Sequence, residues 1–259
     1  MLSRLKSKNT KMKVLGIIPA RYASTRFPGK PLADMKGKPM IARVYEAVEK
    51  CFDKVVVAAD DRRVYDAVAA FGGNVVMTST EHNSGTDRCY EAFRLMSEPF
   101  DVVVNVQGDE PFIDPAQIEL LKSCFADPAT DIATLVVPFR KEGGMEDVEN
   151  PNSPKVVLDA DGRALYFSRS VVPFVRGVER EKWIEKQTFY KHIGLYAYRS
   201  RILEQITKLP QSPLELAESL EQLRWLENGL RIQTAVTDIE TIGIDTPADL
   251  EKALTAMGE

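Results

Sequence analysis

Ile17-Ile18-Pro19-Ala20-Arg21-Tyr22-Ala23-Ser24-Thr25-Arg26-Phe27-Pro28-Gly29-Lys30-Pro31-Leu32 decides the reading of this chain. An apolar run from Val14 to Ile18 ends abruptly in a loop that carries Arg21, Arg26 and Lys30. A buried strand thus delivers three cations to the place where open α/β sheets bind their ligands, outside the carboxyl ends of the strands. Three cations with few acids between them suit a polyanion, most simply a triphosphate. The loop is neither a Walker loop, since GxxxxGK[ST] is absent, nor a GxGxxG turn. Its cations must do what backbone amides do in those motifs. A solvated surface loop is the plain alternative, but two prolines and a glycine stiffen this one, which a disordered segment does not need.

Outward from this stretch, β-branched apolar runs alternate with helical patterns. Strands are expected at Lys13–Pro19, Lys54–Ala58, Asn74–Met77, Val102–Val106 and Ile132–Val137. Helices are expected at Met40–Cys51, Arg62–Phe71, Gly85–Met96 and Pro115–Phe125. The alternation predicts an α/β fold, a mostly parallel central sheet with helices on both faces. Glu142–Pro154 is rich in Gly, Asn, Pro and acids and reads as a loop or boundary. Lys155–Leu158 and Ala164–Ser168 flank Asp159-Ala160-Asp161-Gly162, a hairpin signal. Pro173–Lys191 reads as irregular, and His192–Tyr198 as a strand. Pro213–Asn228 reads as one strong helix closed by Gly229. Arg231–Val236 returns as a strand, and Asp245-Thr246-Pro247 opens a last helix. Residues 140–199 look like a smaller α+β lobe on a main domain of residues 13–139 and 200–256. Residues 1–12 read as a flexible extension.

The 259 residues carry a net charge of -4, with 44% hydrophobic and 28% charged residues. That charge argues against general nucleic-acid binding. No apolar run is long enough for a membrane span. The basic N-terminus lacks an apolar signal region. Cys51, Cys89 and Cys124 are scattered and read as reduced cytosolic thiols, so a cytoplasmic protein is expected.

Five further segments carry chemistry. Asp109, in Asn105-Val106-Gln107-Gly108-Asp109-Glu110-Pro111 at a strand end, can reach a metal; otherwise it caps a turn beside a solvated Glu110. Asp245 reads first as a helix N-cap, and gains a metal role only if it meets Asp109 across the cleft. His82-Asn83-Ser84-Gly85-Thr86-Asp87-Arg88 is a capping turn whose donors and acceptors also suit a base edge. Arg169 can pair with a carboxylate, while His192 reads by itself as a structural residue. In the helix after Pro213, Leu216, Leu220, Leu223 and Leu226 form a buried stripe. Glu215, Glu218, Glu221, Gln222 and Arg224 lie off it, mostly solvated, with one or two free to hold sugar hydroxyls.

Together and in this order the blocks PARYASTRFPGKPL, HNSGTDR, NVQGDEP, NPNSPKVVLD, ALYFSRS, HIGLYAYR, ESLEQLRWLENG and IDTPADLEKA resemble the 3-deoxy-manno-octulosonate cytidylyltransferases, the CMP-Kdo synthetases. The resemblance runs from about Lys13 to Leu254. It implies a Rossmann-like nucleotidyltransferase fold whose smaller lobe binds sugar and joins a homodimer. It implies that CTP and Kdo give CMP-Kdo, for lipopolysaccharide biosynthesis, and pyrophosphate, with Mg²⁺ required. Arg21, Lys30 and Asp109 would be catalytic, with Arg26 assisting on the triphosphate. Ser84, Arg88 and Gln107 would line the cytidine pocket. Asp109 and Asp245 would hold Mg²⁺. Arg169, His192, Tyr196, Glu221 and Gln222 would shape the sugar pocket. Ala59, where relatives often carry Thr, and Ser153-Pro154 depart from the family pattern at positions without an assigned role. Another acidic sugar, 8-amino-Kdo or sialic acid, is the nearest alternative substrate. A non-catalytic nucleotide-binding regulator is the alternative of a different class.

Overall fold

The computed structural model describes residues 11–240 and 243–257. The extension expected at residues 1–12 lies outside them apart from Lys11 and Met12. The strands are β1 (Val14–Ala20), β2 (Lys54–Ala59), β3 (Val75–Met77), β4 (Val102–Asn105), β5 (Ile132–Pro138), β6 (Lys155–Leu158), β7 (Ala164–Ser168), β8 (Tyr190–Arg199) and β9 (Ile232–Val236). The helices are α1 (Met40–Val48), α2 (Arg62–Ala70), α3 (Gly85–Arg94), α4 (Pro115–Ser123), α5 (Gly144–Glu149), α6 (Trp183–Lys186), α7 (Ser200–Ile206), α8 (Pro213–Glu218), α9 (Glu221–Glu227) and α10 (Pro247–Ala256).

The main sheet runs β3-β2-β1-β4-β8-β5-β9, and only β8 is antiparallel to its neighbours on this path. Successive side chains of a strand face opposite sides. Val14, Ile18 and Ala20 accordingly join one core with α1, α2 and α4, and Leu15 and Ile17 join the other with α3, α7 and α9. Both faces are covered, which is why the strands read as nearly unbroken apolar runs. Among the described residues no helix is long and apolar enough to cross a membrane.

The hairpin β6–β7 forms as expected and is attached to the first half of β8, through Lys155 opposite Lys191 and Val156 opposite Tyr190. Residues 190–199, placed in the smaller lobe from the sequence, therefore form a strand whose second half lies between β4 and β5 of the main sheet. Gly194 and Leu195 are extra residues opposite the Thr134–Leu135 step. This bulge interrupts the ladder and turns the Gly194 carbonyl toward the sheet end.

Several expectations need correction. The segment read as a loop at 142–154 contains α5, and the irregular stretch at 173–191 contains α6. Met145 and Val148 pack there against Trp183, Ile184 and Phe189, so a small separate core holds turns that local composition hides. The helices at Met40 and Pro115 finish in 3₁₀ turns, Glu49–Cys51 and Cys124–Ala126. The helix expected over Pro213–Asn228 breaks at Ser219, which sits in the left-handed region with φ 51°.

Candidate active site

Tyr22 is the pivot of the basic loop. Its N–H donates to Asp60 Oδ1 at 2.9 Å. Its carbonyl accepts from Ser24 N and Gly29 N, at 3.1 and 2.9 Å. Its ring lies 3.5 Å from the Arg63 guanidinium. Gly29 adopts φ +74°, and a Cβ there would meet the Tyr22 hydroxyl at 3.3 Å. The turn after it, Lys30–Leu32, swings Lys30 back under the loop. Arg21, Arg26 and Lys30 then line one cleft of about 340 Å³, with Gln107 and Asp109 on its floor.

The two aspartates share Lys30, Asp109 from within the cleft and Asp245 from beside it. Lys30 Nζ is 2.6 Å from Asp109 Oδ2 and 3.4 Å from Asp245 Oδ1. Arg26 Nη2 is 3.1 Å from Asp245 Oδ2. Two details of the backbone produce the meeting. Gly108 sits so close to the end of β1 that a Cβ would lie 2.7 Å from the Pro19 carbonyl. The Ile244 N–H donates to the Asp109 carbonyl at 2.9 Å, and Ile244 is buried with Met35, Met40 and Ala253. The reading of Asp245 as an N-cap is corrected: Thr246 caps α10, in a capping box with Asp249, which leaves the Asp245 carboxylate to Lys30 and Arg26. Glu110, the solvated partner in the turn reading, is also corrected. It is 8% exposed, and burial beside Asp109 pushes its carboxyl up to about 7.

At the start of α3, Ser84 caps the helix by accepting from Asp87 N. The helix starts between strand ends, with Gly85 against Pro19 and Asn105. Gln107 donates to the Gly194 carbonyl at 2.9 Å, spanning from β4 to the bulge of β8. Arg88 is placed differently from expectation. It is 2% exposed, and its guanidinium is committed to Thr78 Oγ1 at 2.7 Å, Ser79 O at 3.0 Å and Asp60 Oδ2 at 3.1 Å. It holds the same Asp60 that fixes Tyr22.

A second polar cluster lies between β8, α3 and α9. The His192 ring packs on Phe167 and Tyr196, with centroids 5.0 and 5.2 Å away. Its Nε2 is 3.1 Å from Thr134 Oγ1, and burial pushes its pKa down to about 3, so it is neutral at pH 7. Glu221 accepts from Thr86 Oγ1 at 2.9 Å and from Arg224 Nη2 at 2.7 Å. Burial raises its pKa. Tyr196 OH and Gln222 Nε2 are buried without a partner among the described residues. Such orphans are rare in folded proteins and call for a partner outside the chain, a water or a polar ligand.

Arg169 is not aimed into this cluster. Its Nε, Nη1 and Nη2 donate to the carbonyls of Glu218, Pro151 and Ser219, at 2.6, 2.8 and 3.3 Å. It therefore takes up carbonyls freed where α8 stops. The break also takes Leu216 out of the expected stripe, while Leu220 and Leu223 are buried and Leu226 packs on the core as expected. Leu216 is 62% exposed, while Glu215, Gln222 and Arg224 are 7%, 5% and 7% exposed.

Similarity to known proteins accords with this geometry. The cytidylyltransferase family profile matches residues 15–232. A 3-deoxy-manno-octulosonate cytidylyltransferase of Parabacteroides distasonis is 65% identical over 94% of this chain and 97% of its own. The chain belongs to the 3-deoxy-manno-octulosonate cytidylyltransferase family. A relative of the same name from Geobacter sulfurreducens is 50% identical over 94% of this chain and 98% of its own. Among solved structures, a CMP:2-keto-3-deoxy-manno-octonic acid synthetase complexed with CTP superposes with a TM-score of 0.87 at 44% identity, covering 95% of this chain and 98% of that one. A 4-diphosphocytidyl-2C-methyl-D-erythritol synthase from Anaerococcus prevotii, 11% identical with a TM-score of 0.62 over 96% of this chain and 99% of its own, shares the fold alone.

In this member of the cytidylyltransferase family, sequence reasoning passed over Asp60, Tyr22 and Arg63. The signal was an acid at the end of β2 next to the start of a helix, a position as close to the sheet's carboxyl edge as Asp109.

Proposed function

We propose that the chain transfers CMP from CTP to the anomeric hydroxyl of Kdo, giving CMP-Kdo and pyrophosphate. The observation that carries this reading is the Lys30 ammonium held between Asp109 and Asp245 in a cleft also lined by Arg21 and Arg26, in a chain of this family. The sugar oxygen attacks the α-phosphorus, the new C–O–P link forms, the bond from the α-phosphorus to the α,β-bridging oxygen breaks, and the hydroxyl proton leaves to solvent or to the departing pyrophosphate. Such a transfer needs alignment and positive charge more than covalent help. Arg21, Arg26 and Lys30 neutralise the triphosphate. Ser84 and Gln107 face the cytidine, with Arg88 stiffening the wall behind them. His192, Tyr196, Glu221 and Gln222 take sugar hydroxyls, and the neutral imidazole serves there as a hydrogen-bonding group. The carboxylate of the sugar is the expected partner of Arg169 only if that side chain leaves its carbonyls.

Asp109 and Asp245 fit Mg²⁺. A cation already bridges them, and this ion commonly takes one or two carboxylates with phosphate oxygens and waters for the rest. When bound, it supplies charge neutralisation at the leaving pyrophosphate.

We further propose a homodimer formed through the smaller lobe, supported by Phe174 (74% exposed) and Leu165 (59% exposed) on its surface. A cytoplasmic location follows from the need for CTP.

Pyrophosphate release with CTP and Mg²⁺ tests the function, with Kdo, 8-amino-Kdo and sialic acid in parallel and UTP as nucleotide control. Kdo is expected to be strongly preferred. CTP binding without turnover on any of the sugars would overturn the reading in favour of a nucleotide-binding regulator. Asp109→Asn is expected to lower kcat on the order of 10²–10³-fold, comparable to losing one transition-state donor, with unchanged circular dichroism. Near-normal turnover in a folded variant would remove Asp109 from the chemistry.

A further inference from the structure

Arg21 projects from the pivot of the basic loop, and its guanidinium donates through Nη2 to the His82 carbonyl at 2.8 Å. What holds that carbonyl in place lies outside the cleft. His82 ends a short loop, Ser79–His82, that precedes α3. Glu91, on the second turn of α3, binds both ends of this loop through one oxygen. Glu91 Oε2 accepts from Ser79 N at 2.8 Å and is hydrogen-bonded to His82 Nε2. A carboxylate only accepts, so His82 Nε2 carries the proton. The Glu91 pKa is lowered accordingly. Neither His82 nor Glu91 lines the cleft of Arg21, Arg26 and Lys30; with Tyr90 and Arg94 they border a separate depression on the outer side of α3.

We infer that Glu91 and His82 are positioning residues for Arg21. Glu91 clamps the Ser79–His82 loop, the clamped loop directs the His82 carbonyl at the guanidinium, and the guanidinium is thereby held in place for the triphosphate. The chain of bonds Glu91–His82–Arg21 links the outer face of α3 to the first cation of the basic loop. This inference rests on the proposed role of Arg21 as a triphosphate ligand. It adds a requirement on two residues that touch neither substrate.

The test measures CTP binding by calorimetry, and kcat and KM for both substrates, in Glu91→Ala, His82→Ala, Glu91→Gln and the Arg21→Ala background. Glu91→Ala and His82→Ala are each expected to weaken CTP binding on the order of tenfold, the effect of one lost charge-assisted hydrogen bond, with the KM for the sugar unchanged. Glu91→Gln, whose carboxamide can serve both Ser79 N and His82, is expected to recover most of the loss. In the Arg21→Ala background Glu91→Ala is expected to add nothing, because residues acting as a unit are not additive. Additive losses, equal effects on both substrates, or failure of Glu91→Gln to recover CTP binding would each overturn the relay and leave Glu91 a stabilising residue only. A wild-type chain that binds CTP but transfers it to no acidic sugar overturns the proposed function, while the calorimetric comparison still decides the relay. A wild-type chain that binds no CTP overturns both.

Discussion

Lys30 and Asp109, 79 positions apart, form a contact of 2.6 Å between Nζ and Oδ2, and the same ammonium reaches Asp245 Oδ1 at 3.4 Å. The lysine side chain is 15% exposed, so the pair is only partly screened by water. The ammonium occupies the space between the two carboxylates that the proposed divalent ion would share.

An ion and an ammonium cannot both neutralise one carboxylate pair in the same place. Lys30→Ala is therefore expected to strengthen binding of Mn²⁺ in the absence of CTP, on the order of tenfold, by removing a like charge at contact distance. Electron paramagnetic resonance titration reads this directly, apart from turnover. Unchanged Mn²⁺ affinity would mean that Asp109 and Asp245 do not form the ion site.

Gly108 keeps the Gln107–Asp109 turn pressed against the end of β1. Gly108→Ala would bring a methyl to 2.7 Å of the Pro19 carbonyl, and the turn must move by several tenths of an ångström. Displacements of about 1 Å in reacting groups cost on the order of 10²-fold in rate. A loss of tenfold or more in kcat with a small change in melting temperature is expected. Wild-type kcat would show that Asp109 tolerates the shift.

Arg169 holds the Glu218 and Ser219 carbonyls at the break between α8 and α9, and the Pro151 carbonyl after α5. Arg169→Ala is expected to lower the unfolding free energy by about 2 kcal/mol, the scale of hydrogen bonds to a charged donor, measured by urea denaturation. Lys offers no planar fork and is expected to rescue poorly. A variant of unchanged stability with a raised KM for the sugar would return Arg169 to the substrate.

His192 gives stability a pH dependence. The unfolded imidazole takes up a proton as pH falls through 6.5, whereas the folded ring stays neutral down to about 3. The contribution is fully present above 6.5 and is lost between 6.5 and 3, at about 1.4 kcal/mol per pH unit. At pH 5 the loss is about 2 kcal/mol by the same relation. Wild type and His192→Gln compared by urea denaturation at pH 7 and pH 5 check this. The variant should show the smaller drop, and equal drops would place the ring in contact with water.

The strand and helix order of the first half was legible from periodicity alone, because a sheet covered on both sides demands unbroken apolar strands. The break at Ser219 was not. No glycine or proline marks it, and the left-handed residue is held from outside by Arg169 and by the burial of Trp225. The consequence reaches the candidate site, since past the break Leu216 is left exposed while Gln222 and Arg224 are buried beside Leu220 and Leu223.

The cationic loop, the acids at strand ends and the family were decided by the sequence by itself, since each is a local pattern of residue types. Tertiary structure alone decided which of these groups meet. A buried Ile244 and its bond to the Asp109 carbonyl bring Asp245 to Lys30, and burial of Arg88 and Asp60 turns an expected ligand contact into the anchor of the loop. Periodicity reports which face of an element is apolar, but the convergence of distant side chains depends on packing between elements that no local pattern records.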